Sequence, residues 1–351
     1  MSRMRKAVTK DGTGRIDVIE QEVASPGRGE VLIQVKVSSI SPGTGLGQVK
    51  RDRVDPNPDR KAAVFGYSNA GVVAEVGEGC RRLSVGDEVA AMGGGYAQHA
   101  TWSVTPENLC VVKPPNVSFE AASYCHLAAT ALHALQRGKL KMLENLAVVG
   151  LGPVGHLAAQ WGRAAGAHVV GMDLTAGRVE TARKAGALDA GVVPADEAKA
   201  IKDVLEFTRG RGLDCAVVAF GGDGTQAIRM LAKMMKLTPD GHRMGRIVGV
   251  GGVKAELMLA AGLGNIDVIS SARTGPGYHD EAWERGADYP AVFVEFDTNR
   301  NLEECLRAMS EGRLNVDAMI THRFPIDQAP EACDLLIEHP EQAVRVVLLM
   351  E

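Results

Sequence analysis

Apolar and polar positions change period twice along this chain. In the first hundred residues the apolar runs are short. Glu30–Ser38 (EVLIQVKVS) alternates apolar and polar and predicts a half-buried strand. Ala70–Val76 and Val85–Ala91 are further short, mostly apolar runs, with Gly77, Gly79, Gly86 and Gly93–Gly95 between them as turn signals. Many short strands with frequent turns predict a compact β barrel or sandwich. From residue 119 the period lengthens. Phe119–Leu135 (FEAASYCHLAATALHAL) reads as one helix, with capping candidates in Asn116–Ser118. Then strands and helices alternate: strand Asn145–Val149, helix Val154–Ala165, strand Ala167–Met172, helix Ala176–Ala185, strand Leu213–Ala219, helix Thr225–Met235, strand Arg246–Val250 and strand Ile266–Ser271. That alternation predicts a parallel, doubly wound sheet. Residues 274–290 are polar and rich in Gly, Tyr and Trp. Leu302–Ser310 and Ala329–Ile337 read as helices and Val344–Leu349 as a final strand.

Composition narrows the class. The 351 residues suit about two domains. Forty-one glycines, roughly 12% against a usual 7% or so, sit within apolar segments and point to tight turns and close backbone approaches. The net charge of −4, with no long Lys/Arg run, argues against nucleic acid as a partner. No run approaches about 18 apolar residues, so no membrane span is expected. The opening MSRMRKAVTKDG lacks an apolar h-region, so the expected location is the cytoplasm. Cys80, Cys110, Cys125, Cys215, Cys305 and Cys333 form no C-x-x-C pair, which argues for reduced thiols over a zinc ribbon or disulfide framework.

Gly150-Leu151-Gly152-Pro153-Val154-Gly155 is a G-x-G-x-x-G that follows a predicted strand and opens a predicted helix. In that context it reads as a dinucleotide fingerprint. The first glycine allows the turn, the second lets backbone approach a pyrophosphate, and the third lets helix and strand pack; the helix N-terminus faces the phosphates. Asp173 ends the next strand about 20 residues on, where an acid accepts ribose hydroxyls and repels a 2′-phosphate. The expected cofactor is therefore NAD over NADP, with Arg178 a candidate for the adenine end.

At this point the chain resembles the medium-chain dehydrogenase/reductase superfamily. The resemblance rests on Gly86-Asp87-Glu88-Val89, the GLGPVG turn, Arg246-Ile247-Val248-Gly249-Val250-Gly251 and Ile320-Thr321-His322-Arg323-Phe324-Pro325. It implies an α/β fold: a GroES-like β-rich catalytic domain (residues 1–127 and 271–351) and a Rossmann NAD-binding domain (residues 128–270). Nicotinamide and substrate would lie in the cleft between them, in a homodimer or homotetramer. It places Phe220, Gly249, Val250 and Arg273 with the cofactor. Zinc members carry ligands where this chain has Ser41, Tyr67 and His126. Zinc takes Cys, His or carboxylate ligands, so no metal is expected there, and the cysteine-rich structural lobe is missing between Gly95 and Trp102. The stretches SISPGTG and Ser271-Ala272-Arg273-Thr274-Gly275-Pro276-Gly277-Tyr278 look more like a zinc-free subgroup, best known as the dehydrogenase half of fusions with a Gfo/Idh/MocA-type half. With the chain ending at Glu351, no such partner half is expected.

Without zinc, side chains must take the hydroxyl proton and stabilise the alkoxide. His126 is the leading acid/base, Tyr67 the second, Thr44 a candidate proton relay, and Ser41 a further candidate catalytic residue that could instead be a turn residue before Pro42. Tyr67 could act as a base only if its pKa fell from near 10. Ser68, Tyr278 and His279 are candidate substrate residues, and Trp283 a further one. The leading expectation is a zinc-independent, NAD-dependent dehydrogenase acting on a secondary alcohol of a sugar, cyclitol or polyol. Three alternatives stay open: an enzyme with tightly bound NAD as internal redox catalyst, promoting elimination or epimerisation; an NAD(P)H quinone or enoyl reductase; and a non-enzymatic NAD-binding protein.

Overall fold

The structure, a computed structural model, describes residues 3–343 and 345–351. The chain divides into two compact units. The first comprises Met1–Ala129, Thr274–Gly312 and Val316–Glu351; the second comprises Thr130–Arg273 and Arg313–Asn315.

The first unit is built on a seven-stranded sheet. Its order is His322–Pro325, Val346–Leu349, Glu30–Ile40, Ser68–Val76, Glu88–Met92 and Cys110–Val112, with Trp102–Pro106 also paired to Glu30–Ile40. A three-stranded sheet of Ile16–Val23, Arg3–Lys10 and Ala63–Val64 completes its β structure. Glu30–Ile40 departs from the expected alternation: Val31, Leu32 and Ile33 are all buried. The strand has three partners along its length and shifts register at Leu32/Ile33 and at Val35/Val37. A register shift inserts a residue and breaks the period of two. Gly71 explains how Ser68–Val76 approaches so closely, since a Cβ there would lie 2.1 Å from the Gln34 carbonyl oxygen. The core of this unit gathers Val8, Ile33, Val73 and Val89 with Ile326 and Leu336 from the C-terminal segment.

The helix expected over Phe119–Leu135 is two helices, Phe119–Ala122 and Cys125–Arg137. Ser118 caps the first, its side chain accepting from the Ala121 N–H at 2.9 Å. Between them the Ser123 carbonyl accepts the hydroxyls of Ser39 (2.7 Å) and Ser68 (2.6 Å), and the Tyr124 hydroxyl donates to the Val346 carbonyl at 3.0 Å. These tertiary bonds take the place of a continuous helical ladder. Val85–Ala91 begins as turn and becomes strand only at Glu88–Met92. The last strand is Val346–Leu349; Val344, expected to start it, lies outside the described residues.

The second unit holds a six-stranded parallel sheet in the order Ala190–Val192, His168–Met172, Asn145–Val149, Cys215–Val218, Met244–Val250, Asn265–Ser271. Strand order reverses at Asn145–Val149, the switch point where doubly wound sheets bind ligands. The helices Pro153–Ala164, Ala176–Lys184, Glu197–Phe207 and Thr225–Met234 connect these strands. Ala190–Val192 and Glu197–Phe207 were not anticipated. The helix carries its own start signal, with Asp196 accepting from the Lys199 N–H at 2.7 Å.

Replacing Gly71 by Ala forces a Cβ into the Gln34 backbone. The expected cost is about 1–3 kcal/mol, as for other overpacked sites. It should appear as a lower urea midpoint in equilibrium unfolding; an unchanged midpoint would show that the strand pair can separate freely at this point.

Candidate active site

In the second unit the glycine turn has the geometry the fingerprint requires. Gly150 has φ +88, which favours glycine. A Cβ on Gly155 would lie 1.8 Å from the Gly150 carbonyl oxygen, so helix and strand meet there without a side chain. A Cβ on Gly152 would meet nothing within 4 Å. That open position borders the start of the helix Pro153–Ala164, where Pro153 lies in the first turn and Gly152 supplies no side-chain cap. The first N–H groups of a helix have no partner within it, and here nothing from Gly152 covers them. Asp173 is buried, and its carboxylate accepts the Leu151 N–H (2.7 Å) and the Thr175 N–H (2.8 Å). It thus braces the turn while keeping lone pairs to accept hydroxyls. Arg178 lies 3.8 Å from it. Phe220 flanks the turn, its ring 3.2 Å from a Cβ built on Gly150. Gly249 is half-buried, whereas Val250 is buried. Arg273 is exposed with φ +67. These residues fit a dinucleotide: a pyrophosphate at Gly152 and Val154, and ribose hydroxyls at Asp173.

In the first unit four aromatic rings form a series. Tyr67 meets His126 edge-on with centroids 4.6 Å apart; His126 meets Tyr278 at 6.4 Å; Tyr278 stacks on His279 at 3.9 Å. The Tyr67 backbone carbonyl accepts two hydrogen bonds, from the Gly93 N–H (3.0 Å) and from His126 Nδ1 (3.1 Å). A carbonyl only accepts, so Nδ1 carries the hydrogen and Nε2 is the acceptor nitrogen. Burial of the imidazole lowers its pKa to about 4, and the carbonyl contact only partly opposes this. Burial likewise raises the Tyr67 phenol to about 12, although the neighbouring hydroxyls of Ser41 and Thr44 pull the other way. The fall that a basic Tyr67 would need is therefore reversed: the phenol is a donor. Thr44 is exposed and Ser41 is buried.

Some expected site residues lie elsewhere. Ser68 is buried with its hydroxyl on the Ser123 carbonyl, so it is a scaffold residue and does not line a substrate space. Trp283 is also buried, and its ring packs over Gly277, where a Cβ would sit 2.5 Å away. His279 is exposed, with φ +75 and its N–H on the buried Glu284 at 2.8 Å. Two contributors went unforeseen: the Gly94 N–H, which donates to the Tyr278 hydroxyl at 2.7 Å, and Glu284 itself. Gly94 reaches a distant segment, as does Glu284 by accepting from the Tyr96 hydroxyl at 3.3 Å, and no local sequence pattern marks either contact.

Zinc does not fit this site. Ser41, Tyr67 and His126 offer a hydroxyl, a neutral phenol and one imidazole, whereas zinc takes thiolate, imidazole or carboxylate ligands. Among the described residues no group of three or more His, Cys, Asp or Glu is arranged to hold a metal ion. None of the described helices is long and apolar enough to cross a membrane.

Two family models match the chain: the alcohol dehydrogenase GroES-like domain over residues 27–137 and the zinc-binding dehydrogenase over residues 153–288. Similar curated proteins include the uncharacterised zinc-type alcohol dehydrogenase-like protein YphC of Escherichia coli (strain K12), 26% identical and covering 93% of each chain. Another is the sorbitol dehydrogenase of Mus musculus, 24% identical over 92% of this chain and 89% of its own. Among solved structures, a short chain alcohol dehydrogenase from E. coli CFT073, complexed with cofactor NADH, superposes with TM-score 0.77 at 17% identity over 100% of both chains. The chain belongs to the medium-chain dehydrogenase/reductase superfamily. It is an oxidoreductase of the alcohol/sugar dehydrogenase type, with a small-molecule substrate and a nicotinamide cofactor.

Two tests follow from this geometry. Gly152→Val fills the open position and should weaken nucleotide binding at least about tenfold with little loss of stability, while Gly155→Val collides with the Gly150 backbone and should destabilise the fold. Calorimetric titration and thermal melts of the two variants separate these effects. The second test concerns pH. His126 and His99 are lowered by burial to about 4 and about 3. The unfolded chain, with histidines near 6.5, binds more protons below that pH. Stability should be fully present above pH 6.5 and fall as pH drops toward 4. His126→Gln should flatten that slope in denaturant midpoints measured from pH 7 to 4.5; an unaltered slope would contradict a buried neutral His126.

Proposed function

We propose that this chain is a zinc-independent, NAD-dependent dehydrogenase that oxidises a secondary alcohol of a sugar, cyclitol or polyol. The observation that carries the proposal is the pairing of a neutral imidazole with an acceptor Nε2 against a neutral phenol, at positions where the donor chemistry does not suit zinc. Gly150, Gly152, Val154, Gly155 and Asp173 would hold NAD, which when bound supplies the hydride acceptor. The Asp173 carboxylate favours it over a cofactor carrying a 2′-phosphate. The similarity to a sorbitol dehydrogenase supports a polyhydroxy substrate.

In this mechanism His126 Nε2 accepts the substrate hydroxyl proton and, with its pKa near 4, releases it again at neutral pH. The Tyr67 phenol donates to the substrate oxygen as negative charge develops there. Ser41 and Thr44 border that phenol and oppose the rise that burial imposes on it, and Thr44 is exposed. Tyr278, fixed by the Gly94 N–H, bounds the substrate space beside His126.

The deciding experiment releases nucleotide from the purified protein by denaturation, identifies it, and follows NADH absorbance against sugars, cyclitols and polyols. Net NADH is expected with one of these classes. Tyr67→Phe and His126→Gln should each lower kcat by about 10²–10⁴, the usual contribution of acid–base groups. Full activity in both variants would remove them from the proton path. Stoichiometric bound NAD with substrate consumed and no net NADH would replace this reading with an internal redox catalyst.

A further inference from the structure

The second unit contains a cavity of about 260 Å³ formed by one face of the helix Thr225–Met234, the start of the helix Glu197–Phe207 and the segment before Asn265–Ser271. Three cations line it: Arg229, Lys233 and Arg243. The lining carboxylate is Glu197, which pairs with Lys233 at 2.6 Å. Arg229 and Lys233 are one helical turn apart, a spacing at which like charges repel. Arg229 donates to the neutral Glu256 carbonyl at 3.2 Å. Arg243 Nε is buried without a hydrogen-bond partner. A buried guanidinium N–H left unpaired costs free energy. Three cations against one carboxylate give the lining two positive charges in excess, in a chain whose net charge is −4. The rest of the wall is apolar, with Leu257 and buried Leu263.

We infer that this cavity is a binding site for a small amphiphilic anion, specifically an aliphatic carboxylate. Its carboxylate accepts from Arg243 and Arg229, as guanidinium groups pair with carboxylates. Its short alkyl body lies on Leu257 and Leu263. The volume falls below the range of roughly 300–1,000 Å³ usual for drug-sized ligands, which keeps the ligand small. The site is made of residues separate from the dinucleotide cradle and from Tyr67 and His126, and does not depend on the proposed reaction.

The test titrates the full chain calorimetrically with hexanoate, with hexanol as the neutral probe and inorganic phosphate as the charge-only probe. Hexanoate should bind, weaken with added salt, and lose at least about tenfold in affinity in Arg243→Gln. Arg229→Gln, at a more exposed position, should do the same and guards against misfolding of the first variant; thermal melts report the fold of each. NAD affinity should be unchanged in both. The inference is overturned if hexanoate does not bind, if hexanol binds equally well, if phosphate binds more tightly than hexanoate, or if both folded variants retain wild-type affinity.

Discussion

The Tyr67 carbonyl oxygen is the point on which the candidate chemistry depends. Its two lone pairs bind the Gly93 N–H and His126 Nδ1–H, so one backbone atom joins the turn at Gly66–Tyr67, the loop at Gly93–Gly95 and the helix Cys125–Arg137. The next residue of that loop, Gly94, reaches Tyr278 through its N–H. One acceptor thereby sets the imidazole tautomer and, through the loop, seats the phenol that borders it.

Burial then decides which protonation states these groups hold. His126 and Tyr67 move in opposite directions from their ordinary values, and both end neutral at pH 7 for one reason: a charge in a poorly hydrated site lacks the solvation it has in water. Neutrality separates the roles, leaving an acceptor nitrogen on one ring and a donor hydroxyl on the other. Ser41, a position where the family resemblance implies a zinc ligand in metal-dependent members, and Thr44 here border the phenol and oppose the rise that burial imposes on it.

The segment that carries Tyr278 shows how a polar loop becomes rigid. Residues 274–290 read by composition as a polar stretch rich in Gly, Tyr and Trp. In the fold they wrap buried Trp283, with Gly277 directly beneath its ring, Asp280 capping the short helix Glu281–Glu284, and Glu284 anchoring the His279 N–H. The positive φ at His279 is held by these bonds. Tyr278 and His279 are thereby tied to Gly94 and Glu284.

The sequence alone determined what depends on neighbours along the chain. Strand, glycine turn, helix and Asp173 lie within about 30 residues, so the dinucleotide cradle was legible from spacing, as was the alternation that makes a parallel sheet. The β-rich unit was legible as short strands, but the alternation in Glu30–Ile40 failed because register shifts and three pairing partners override the simple period. Ser41, Tyr67, His126 and Tyr278 come from four separated segments, and only the family resemblance brought the first three together before the structure did. Tertiary structure alone decided that Ser68 braces Ser123, that Trp283 is core, that one helix splits at Ser123–Tyr124, and which way the two ionisable groups shift. Each of these depends on burial or on a hydrogen bond between distant segments, and neither is written in local pattern.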